Sequence, residues 1–291
     1  MLLHGADHKK RDILFFSLPY LTVYVAFMVF PVVYGFYLSF FDWNILSTKV
    51  FVGLKNYVEA FSDPEFLSSF FHTIQFVVIS TPLIIVVGFI MALIAVRPTK
   101  TGRISETVFF LPYMLSTSVV GTLWAWIFQK NYGLANQLLK LVDLKPLGWL
   151  TDPSIAMTSI IIATLWWTAG FNMILFSAGM KQIPEEIYDA AKIDGAGSFT
   201  TLTKITIPLL RDTSLLVLVL QIIASFKVFG QVYVMTGGGP YGTTRVLVQY
   251  VYKTGFSYFR LGYASAMSIL LFMVILLVSV IQFLRKPDET Q

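Results

Sequence analysis

The sequence contains no cysteine and few charged residues. Among its 291 residues, Asp, Glu, Lys and Arg together make up 13%, whereas an average soluble domain has about 25%. The absence of cysteine excludes disulfides, thiolate metal sites and cysteine nucleophiles. A chain with so few charges cannot cover a water-facing surface, which excludes soluble enzymes, disordered proteins and nucleic-acid binders. The net charge of +5 therefore does not indicate a nucleic-acid partner.

Long apolar runs make up most of the chain. Hydrophobic residues are 56% of the total and the mean hydropathy is +0.72. A membrane-spanning helix requires about 20 mostly apolar residues, and six stretches qualify: 13–41, 69–96, 107–128, 153–180, 207–226 or somewhat beyond, and 261–284. The middle of each contains no Asp, Glu, Lys or Arg. We therefore predict an all-α membrane protein with six transmembrane helices.

Basic residues indicate the orientation of these spans. Lys9, Lys10 and Arg11 precede the first span, and Arg97, Lys100 and Arg103 follow the second. The positive-inside rule places both groups in the cytoplasm, so six crossings leave both termini there. We predict a cytoplasmic tail at 1–12, a transmembrane domain at 13–284 and a second cytoplasmic tail at 285–291. The first span is too long for a signal peptide and is predicted to be retained.

The connection between the fourth and fifth spans predicts a short cytoplasmic helix. Pro184 suits a first helical position, and Glu185 and Glu186 favour the positive end of the helix dipole. Gly195 or Gly197 suits the end of the helix. Its candidate contacts for a partner protein are Ile183, Ile187, Tyr188, Ala190 and Ala191.

This connection resembles the signature of the permease subunits of bacterial ATP-binding-cassette (ABC) importers, in the carbohydrate uptake group similar to maltose and glycerol-3-phosphate permeases. That signature is Glu-Ala-Ala, Gly four residues later, then Ile-x-Leu-Pro. The chain has Asp189-Ala190-Ala191, Gly195 and Ile205-Thr206-Ile207-Pro208, with Asp replacing Glu and Ile replacing Leu. Further similarity covers Phe51 to Tyr57, Leu111-Pro112-Tyr113, Ala178-Gly179 and Thr236 to Pro240.

The resemblance implies a six-transmembrane-helix type I ABC importer permease of the bacterial plasma (inner) membrane, with a cytoplasmic coupling helix. The implied coupling loop is 181–208, which would bind the ATPase. Its implied coupling residues are Tyr188, Asp189, Ala190, Ala191, Asp194 and Gly195. The implied partners are a second permease subunit, two ATP-binding-cassette ATPase subunits and an extracytoplasmic solute-binding protein.

Polar and aromatic residues near the middle of two spans are candidates for binding solute. Trp167 and Phe171 lie four residues apart, as do Thr168 and Asn172, so each pair shares a helix face. Gln221 and Ser225 repeat this spacing in the fifth span. Aromatic faces with amide and hydroxyl groups can hold an uncharged sugar. The resemblance implies the same for Trp167, Thr168, Phe171, Gln221 and Ser225, which match sugar-site positions in maltose-type permeases.

The energy for transport is predicted to come from another polypeptide. The middle of the spans has no carboxylate of the kind that secondary transporters use. The run from Gly237 to Thr244 echoes a phosphate-binding loop, but Thr243 replaces the lysine, and we interpret it as a turn. We expect no cofactor or metal on this chain, and ATP and Mg²⁺ on the partner subunits.

Other solutes and other functions remain open from the sequence. The same type of permease can carry a polyol, a glycerol phosphodiester or an oligosaccharide acid, and a membrane scaffold or membrane-embedded enzyme is a further class. An anionic solute would require Arg or Lys facing the cavity, and no such residue is predicted within a span. Lys227, at the end of the fifth span, is expected to extend to the membrane interface.

Overall fold

The computed structural model describes residues 16–45 and 48–284, so the two predicted tails lie outside the described residues. Its helices are α1 (Phe16–Leu38), α2 (Lys55–Ser62), α3 (Pro64–Ala95), α4 (Lys100–Phe110), α5 (Thr117–Ile127), α6 (Leu134–Leu141), α7 (Ala156–Lys181), α8 (Glu185–Ile193), α9 (Ser198–Thr201), α10 (Ile207–Leu209), α11 (Arg211–Phe226), α12 (Gly230–Met235), α13 (Leu247–Tyr252) and α14 (Leu261–Leu284). A two-residue antiparallel hairpin pairs β1 (Phe41–Asp42) with β2 (Val50–Phe51).

The helices confirm the predicted membrane architecture. Among the described residues, five helices are long and apolar enough to span a membrane: Phe16–Leu38, Pro64–Ala95, Ala156–Lys181, Arg211–Met235 and Leu261–Gln282. A bent pair, Lys100–Met114 with Thr117–Ile127, gives a sixth span if its two halves are counted together. The count of six therefore depends on this broken third element.

The stretch 107–128, predicted as one span, is divided into two helices at a sharp bend. Helix α4 ends at Phe110, a 3₁₀ turn covers Leu111–Met114, and α5 begins at Thr117 at an angle of 97° to the first half. Pro112 lies in the turn; it has no backbone N–H and its ring obstructs the preceding helical turn. Ser116 then caps α5 by accepting a hydrogen bond from the Val119 N–H.

The fifth span starts later than predicted and is interrupted. It was expected over 207–226 or somewhat beyond, but α11 begins only at Arg211, and a non-helical break at 227–229 separates it from α12. Arg211 and Asp212 occupy the first turn of α11, away from its middle. The span therefore continues to Met235 and contains an interruption that the apolar pattern did not indicate.

The first of two compact units contains the described part of 1–63 together with 251–273. Asn56 is buried and donates hydrogen bonds from Nδ2 to the carbonyls of Ser39 and Phe41, each at 2.9 Å. Arg260 forms an ion pair with Glu59 at 2.7 Å. These contacts fix the β1–β2 hairpin and α2 to neighbouring chain segments within the unit.

The second unit contains 64–250 and the described part of 274–291. Helix α7 is its most buried span, with 56% of its most apolar window buried. Helix α3 packs directly on α7: a Cβ at Gly88 would lie 2.7 Å from the Cβ of Asn172 and 3.0 Å from the carbonyl oxygen of Ala169. Small residues permit this close approach of membrane helices, which brings the candidate polar residues of α7 next to α3.

Candidate functional site

A cavity of about 490 Å³ lies within the second unit, between the third, fourth and fifth spans. Most of its wall comes from α7, α11, α12 and the turn before α5. The lining residues are Phe76, Tyr113, Thr117, Thr164, Trp167, Thr168, Phe171, Leu220, Gln221, Ala224, Ser225, Lys227, Val228, Phe229, Gly230 and Gln231. The broken third span and the interrupted fifth span therefore both contribute directly to this cavity.

One wall of the cavity is aromatic. Tyr113, in the 3₁₀ turn, stacks on Phe171 with ring centroids 4.9 Å apart, and its centroid is 6.5 Å from that of Trp167. The indole Nε1 of Trp167 donates to the carbonyl oxygen of Leu115 at 3.2 Å. That bond satisfies the polar atom of Trp167 and connects α7 to the bent segment. The three rings form a surface suited to the C–H face of a ring-shaped solute.

Another part of the cavity lining belongs to a hydrogen-bonded polar network. Gln221 is 6% exposed; its Oε1 accepts from Asn172 Nδ2 at 2.8 Å and its Nε2 donates to Ser225 Oγ at 3.1 Å. Ser225 Oγ also accepts from Thr81 Oγ1 at 3.1 Å. A primary amide has two donors and two lone pairs, so Gln221 retains one of each for a ligand.

Five of the six predicted solute residues line this cavity: Trp167, Thr168, Phe171, Gln221 and Ser225. Asn172 does not line it. Its side chain is 1% exposed and lies behind Gln221, which it orients through the 2.8 Å hydrogen bond. The four-residue spacing placed Asn172 on the same helix stripe as Thr168, but it could not show that α3 covers the far end of this stripe.

Sequence reasoning did not select several lining residues, of which Tyr113, Thr117, Thr164, Lys227 and Gln231 are polar. Tyr113 enters the cavity because the chain bends at Pro112. Gln231 lies beyond the predicted end of the fifth span. The apolar pattern has no signal for either break, although Pro112 itself was a visible clue to the first.

The expectation that Lys227 extends to the membrane interface stays a prediction. The residue follows α11 at its C-terminal end, is exposed, and is also among the residues that line the cavity. The helix ends there because the backbone departs from helical geometry over 227–229, with Phe229 at φ −149° and ψ −58°. A basic residue therefore borders the cavity.

The predicted short helix between the fourth and fifth spans is present as α8. Pro184 is the residue immediately before it, and Gly195 follows its end with φ +75°, a left-handed conformation that favours glycine. Asp189, Ala190, Asp194 and Gly195 are exposed. The prediction of the helix and of its glycine stop is thus confirmed, while its partner is not part of the structure.

Two residues of the predicted coupling set contact the rest of this chain. Ala191 is 6% exposed, and Tyr188 Oη lies 3.3 Å from Thr206 Oγ1. On the outer face, Lys192 Nζ donates to Asp189 Oδ1 at 2.8 Å, and this hydrogen bond raises the pKa of Lys192 above its ordinary value. Helix α8 therefore has one face against its own chain and one face open to another protein.

The described residues include neither a metal cluster nor a phosphate-binding loop. Within 16–45 and 48–284, no cluster of three or more His, Asp or Glu side chains is placed to hold a metal ion. The segment from Gly237 to Thr244 forms a turn, in which Thr244 Oγ1 donates to the Gly239 carbonyl oxygen at 2.6 Å and lies 2.8 Å from Thr236 Oγ1. It has the interactions of a closed turn and lacks the lysine of a phosphate-binding loop.

A multi-span helical bundle with a cavity between its spans fits a membrane transport permease. Residues 84–287 match the family model described as "Binding-protein-dependent transport system inner membrane component". The chain belongs to this family, which confirms the resemblance to ABC importer permeases.

Individual relatives agree along nearly the whole chain. The chain is 36% identical to the "Probable ABC transporter permease protein YurN" of Bacillus subtilis, over 91% of this chain and 94% of that one. It is also 36% identical to the "Trehalose/maltose transport system permease protein MalF" of Thermococcus litoralis, over 89% and 88% respectively. A crystal structure of a bacterial alginate ABC transporter superimposes with a TM-score of 0.82 at 22% identity, covering 95% of this chain and 94% of that chain. This last likeness confirms the fold.

Proposed function

We propose that this chain is a permease subunit of an ATP-driven importer for a sugar, either a mono- or an oligosaccharide. The observation that supports this most directly is the cavity itself. It combines an aromatic wall of Tyr113, Trp167 and Phe171 with a polar network centred on Gln221. Sugars present C–H faces to aromatic rings and hydroxyl groups to amides, so both sides of the cavity match their chemistry.

The shape of the solute follows from the aromatic wall. Stacked rings such as Tyr113 and Phe171 offer a flat surface, which suits a pyranose ring better than an acyclic polyol or a glycerol phosphodiester. The relative from Thermococcus litoralis, described as a trehalose/maltose permease, supports a sugar in the same way. The predicted solute contacts are Trp167, Thr168, Phe171, Gln221 and Ser225, with Asn172 orienting Gln221.

The chain forms half of the translocation path and pairs with a second, similar but non-identical permease subunit. Two ATPase subunits bind on the cytoplasmic side and hold the ATP and Mg²⁺. Helix α8 lies in a cleft of one of them, with Asp189, Ala190, Asp194 and Gly195 toward the ATPase. Their exposure in the structure supports this role. ATP binding closes the ATPase dimer, moves α8 and opens the cavity outward.

The remaining features concern the cellular setting. The protein lies in the lipid bilayer of the bacterial inner membrane with both termini in the cytoplasm, as the basic residues around Arg97 to Arg103 favour. An extracytoplasmic solute-binding protein delivers the sugar to the outward-open cavity. Family membership supports this arrangement, because the family is described as binding-protein-dependent.

The test is reconstitution of both permease subunits and the ATPase into liposomes, with the binding protein added outside. We expect ATP-dependent accumulation of a sugar, and we expect Trp167→Ala to reduce it while ATPase subunits remain bound. Trp126→Ala is the matched control, because Trp126 is exposed and lies outside the cavity. Equal effects of both substitutions, or no accumulation of any sugar in a broad panel, would refute the proposal.

A further inference from the structure

The break between α11 and α12 places a cation against the solute cavity. Lys227 is the C-terminal cap of α11, and its backbone N–H donates to the Ile223 carbonyl oxygen at 3.3 Å. The residue is exposed and is among those that line the cavity. Among the described residues that line the cavity, none is Asp or Glu. The wall thus contains a positive charge without a negative charge beside it.

Lys227 also lacks an ion-pair partner elsewhere in the described part of the chain. The ion pairs found there are Lys181 with Glu106, Lys192 with Asp189, Arg245 with Glu65 and Arg260 with Glu59. The carbonyl end of α11 favours a nearby cation, but this interaction does not require the side chain to face the cavity. A basic group that lines a membrane cavity marks a solute pathway in most membrane proteins.

A second polar group lies at the same break. Gln231 comes four residues after Lys227, is 7% exposed and lines the cavity. Its side chain forms no hydrogen bond with residues 16–45 or 48–284, in contrast to Gln221, which is held by Asn172 and Ser225. An ammonium and an amide N–H together can bind an anionic oxygen through charge-assisted hydrogen bonds.

Resting on the proposed transport of a sugar, we infer that the solute is a saccharide with an anionic substituent such as a carboxylate. The anionic group binds Lys227 and Gln231 at the α11–α12 break, and the sugar ring packs against Trp167 and Phe171. The polar network around Gln221 binds ring hydroxyl groups. Lys227 is thereby a specificity-determining residue of the cavity.

The experiment measures equilibrium binding of two probes to the complete importer in lipid nanodiscs by calorimetry, without the solute-binding protein. One probe is a disaccharide with one uronic acid, and the other is the neutral disaccharide with a hydroxymethyl group in place of the carboxylate. A hydrogen bond to a charged group predicts about tenfold tighter binding of the uronic acid probe. Lys227→Met should remove this preference, and Lys227→Arg should retain it.

Lys140→Met is the matched control, because Lys140 is an exposed lysine in the last turn of α6 and lies outside the cavity. It should leave the tenfold preference unchanged. Equal binding of the probes by the wild type, a preference that survives Lys227→Met, or a Lys227→Met importer that fails to assemble would each overturn the inference. If the neutral probe still binds and Trp167→Ala weakens it, the proposed sugar transport stands; if neither probe binds the wild type, both proposals fail.

Discussion

Replacement of Gln221 by alanine should weaken solute binding and the fold by similar amounts, about 1 kcal/mol each. Gln221 forms two side-chain hydrogen bonds, to Asn172 and Ser225. Such bonds in membrane proteins average about 0.6 kcal/mol each, so the structural loss is about 1.2 kcal/mol. A hydrogen bond from the free donor of Gln221 to a sugar hydroxyl contributes about 1 kcal/mol, which corresponds to about fivefold in affinity.

The assay is the initial rate of uptake into proteoliposomes over a range of sugar concentrations. Gln221→Ala should raise the half-saturating concentration about fivefold and leave the uptake rate at saturation and the bound ATPase nearly unchanged. Asn172→Ala is the matched control, since it removes the same 2.8 Å hydrogen bond from a residue outside the cavity. It should shift the half-saturating concentration by about twofold or less. Equal shifts for the two variants, or no shift for Gln221→Ala, would refute the role of Gln221 in binding.

Three further substitutions test the fold and the coupling helix. Asn56→Ala removes two hydrogen bonds to backbone carbonyls and should destabilise the first unit by about 2 kcal/mol. The melting temperature should therefore fall, and an unchanged melting temperature would contradict the anchoring role of Asn56. Gly195→Ala should lower the free energy of unfolding by about 1 to 2 kcal/mol, because the φ of Gly195 is +75°, and should reduce sugar-stimulated ATP hydrolysis. Gly197 has φ −70° and open space around it, so Gly197→Ala should change neither the stability nor the ATP hydrolysis. Asp189→Asn breaks an exposed ion pair, so the melting temperature should stay the same while ATP-driven uptake falls; normal uptake would remove Asp189 from the ATPase contact.

The apolar pattern was sufficient to predict the membrane spans but not their interruptions. A span is recognised from the mean hydropathy of about twenty residues. This average located α7 and α14 closely, but it did not separate α11 from the apolar residues that precede it. The break at 227–229 contains neither proline nor glycine, so these three residues give no sequence signal for the end of a helix. By contrast, Pro112 marked the bend of the third span, although its presence alone could not give the angle of 97°.

The candidate site was predictable wherever helical spacing determines which residues share a face. Trp167 with Phe171 and Gln221 with Ser225 were paired correctly, because each pair lies on one continuous helix. Asn172 was placed on the cavity side because the covering helix α3 was not part of the reasoning. Lys227 was assigned to the interface because a lysine at a helix end usually extends to water, and the spacing could not show that the residue also lines the cavity beside the α11–α12 break.

The most direct test of the central claim is a crosslink between α8 and the ATPase subunit. The chain has no cysteine, so a single Ile193→Cys substitution provides a unique thiol on α8, where Ile193 is 87% exposed. We predict that a thiol-to-amine crosslinker joins this position to an ATPase subunit in the assembled importer, with a yield that changes when ATP binds. Tyr241→Cys, at a residue 96% exposed in the predicted outer turn, should give no such product. A thiol on α8 that forms no crosslink to the ATPase, or a position 241 thiol that forms one, would contradict the account.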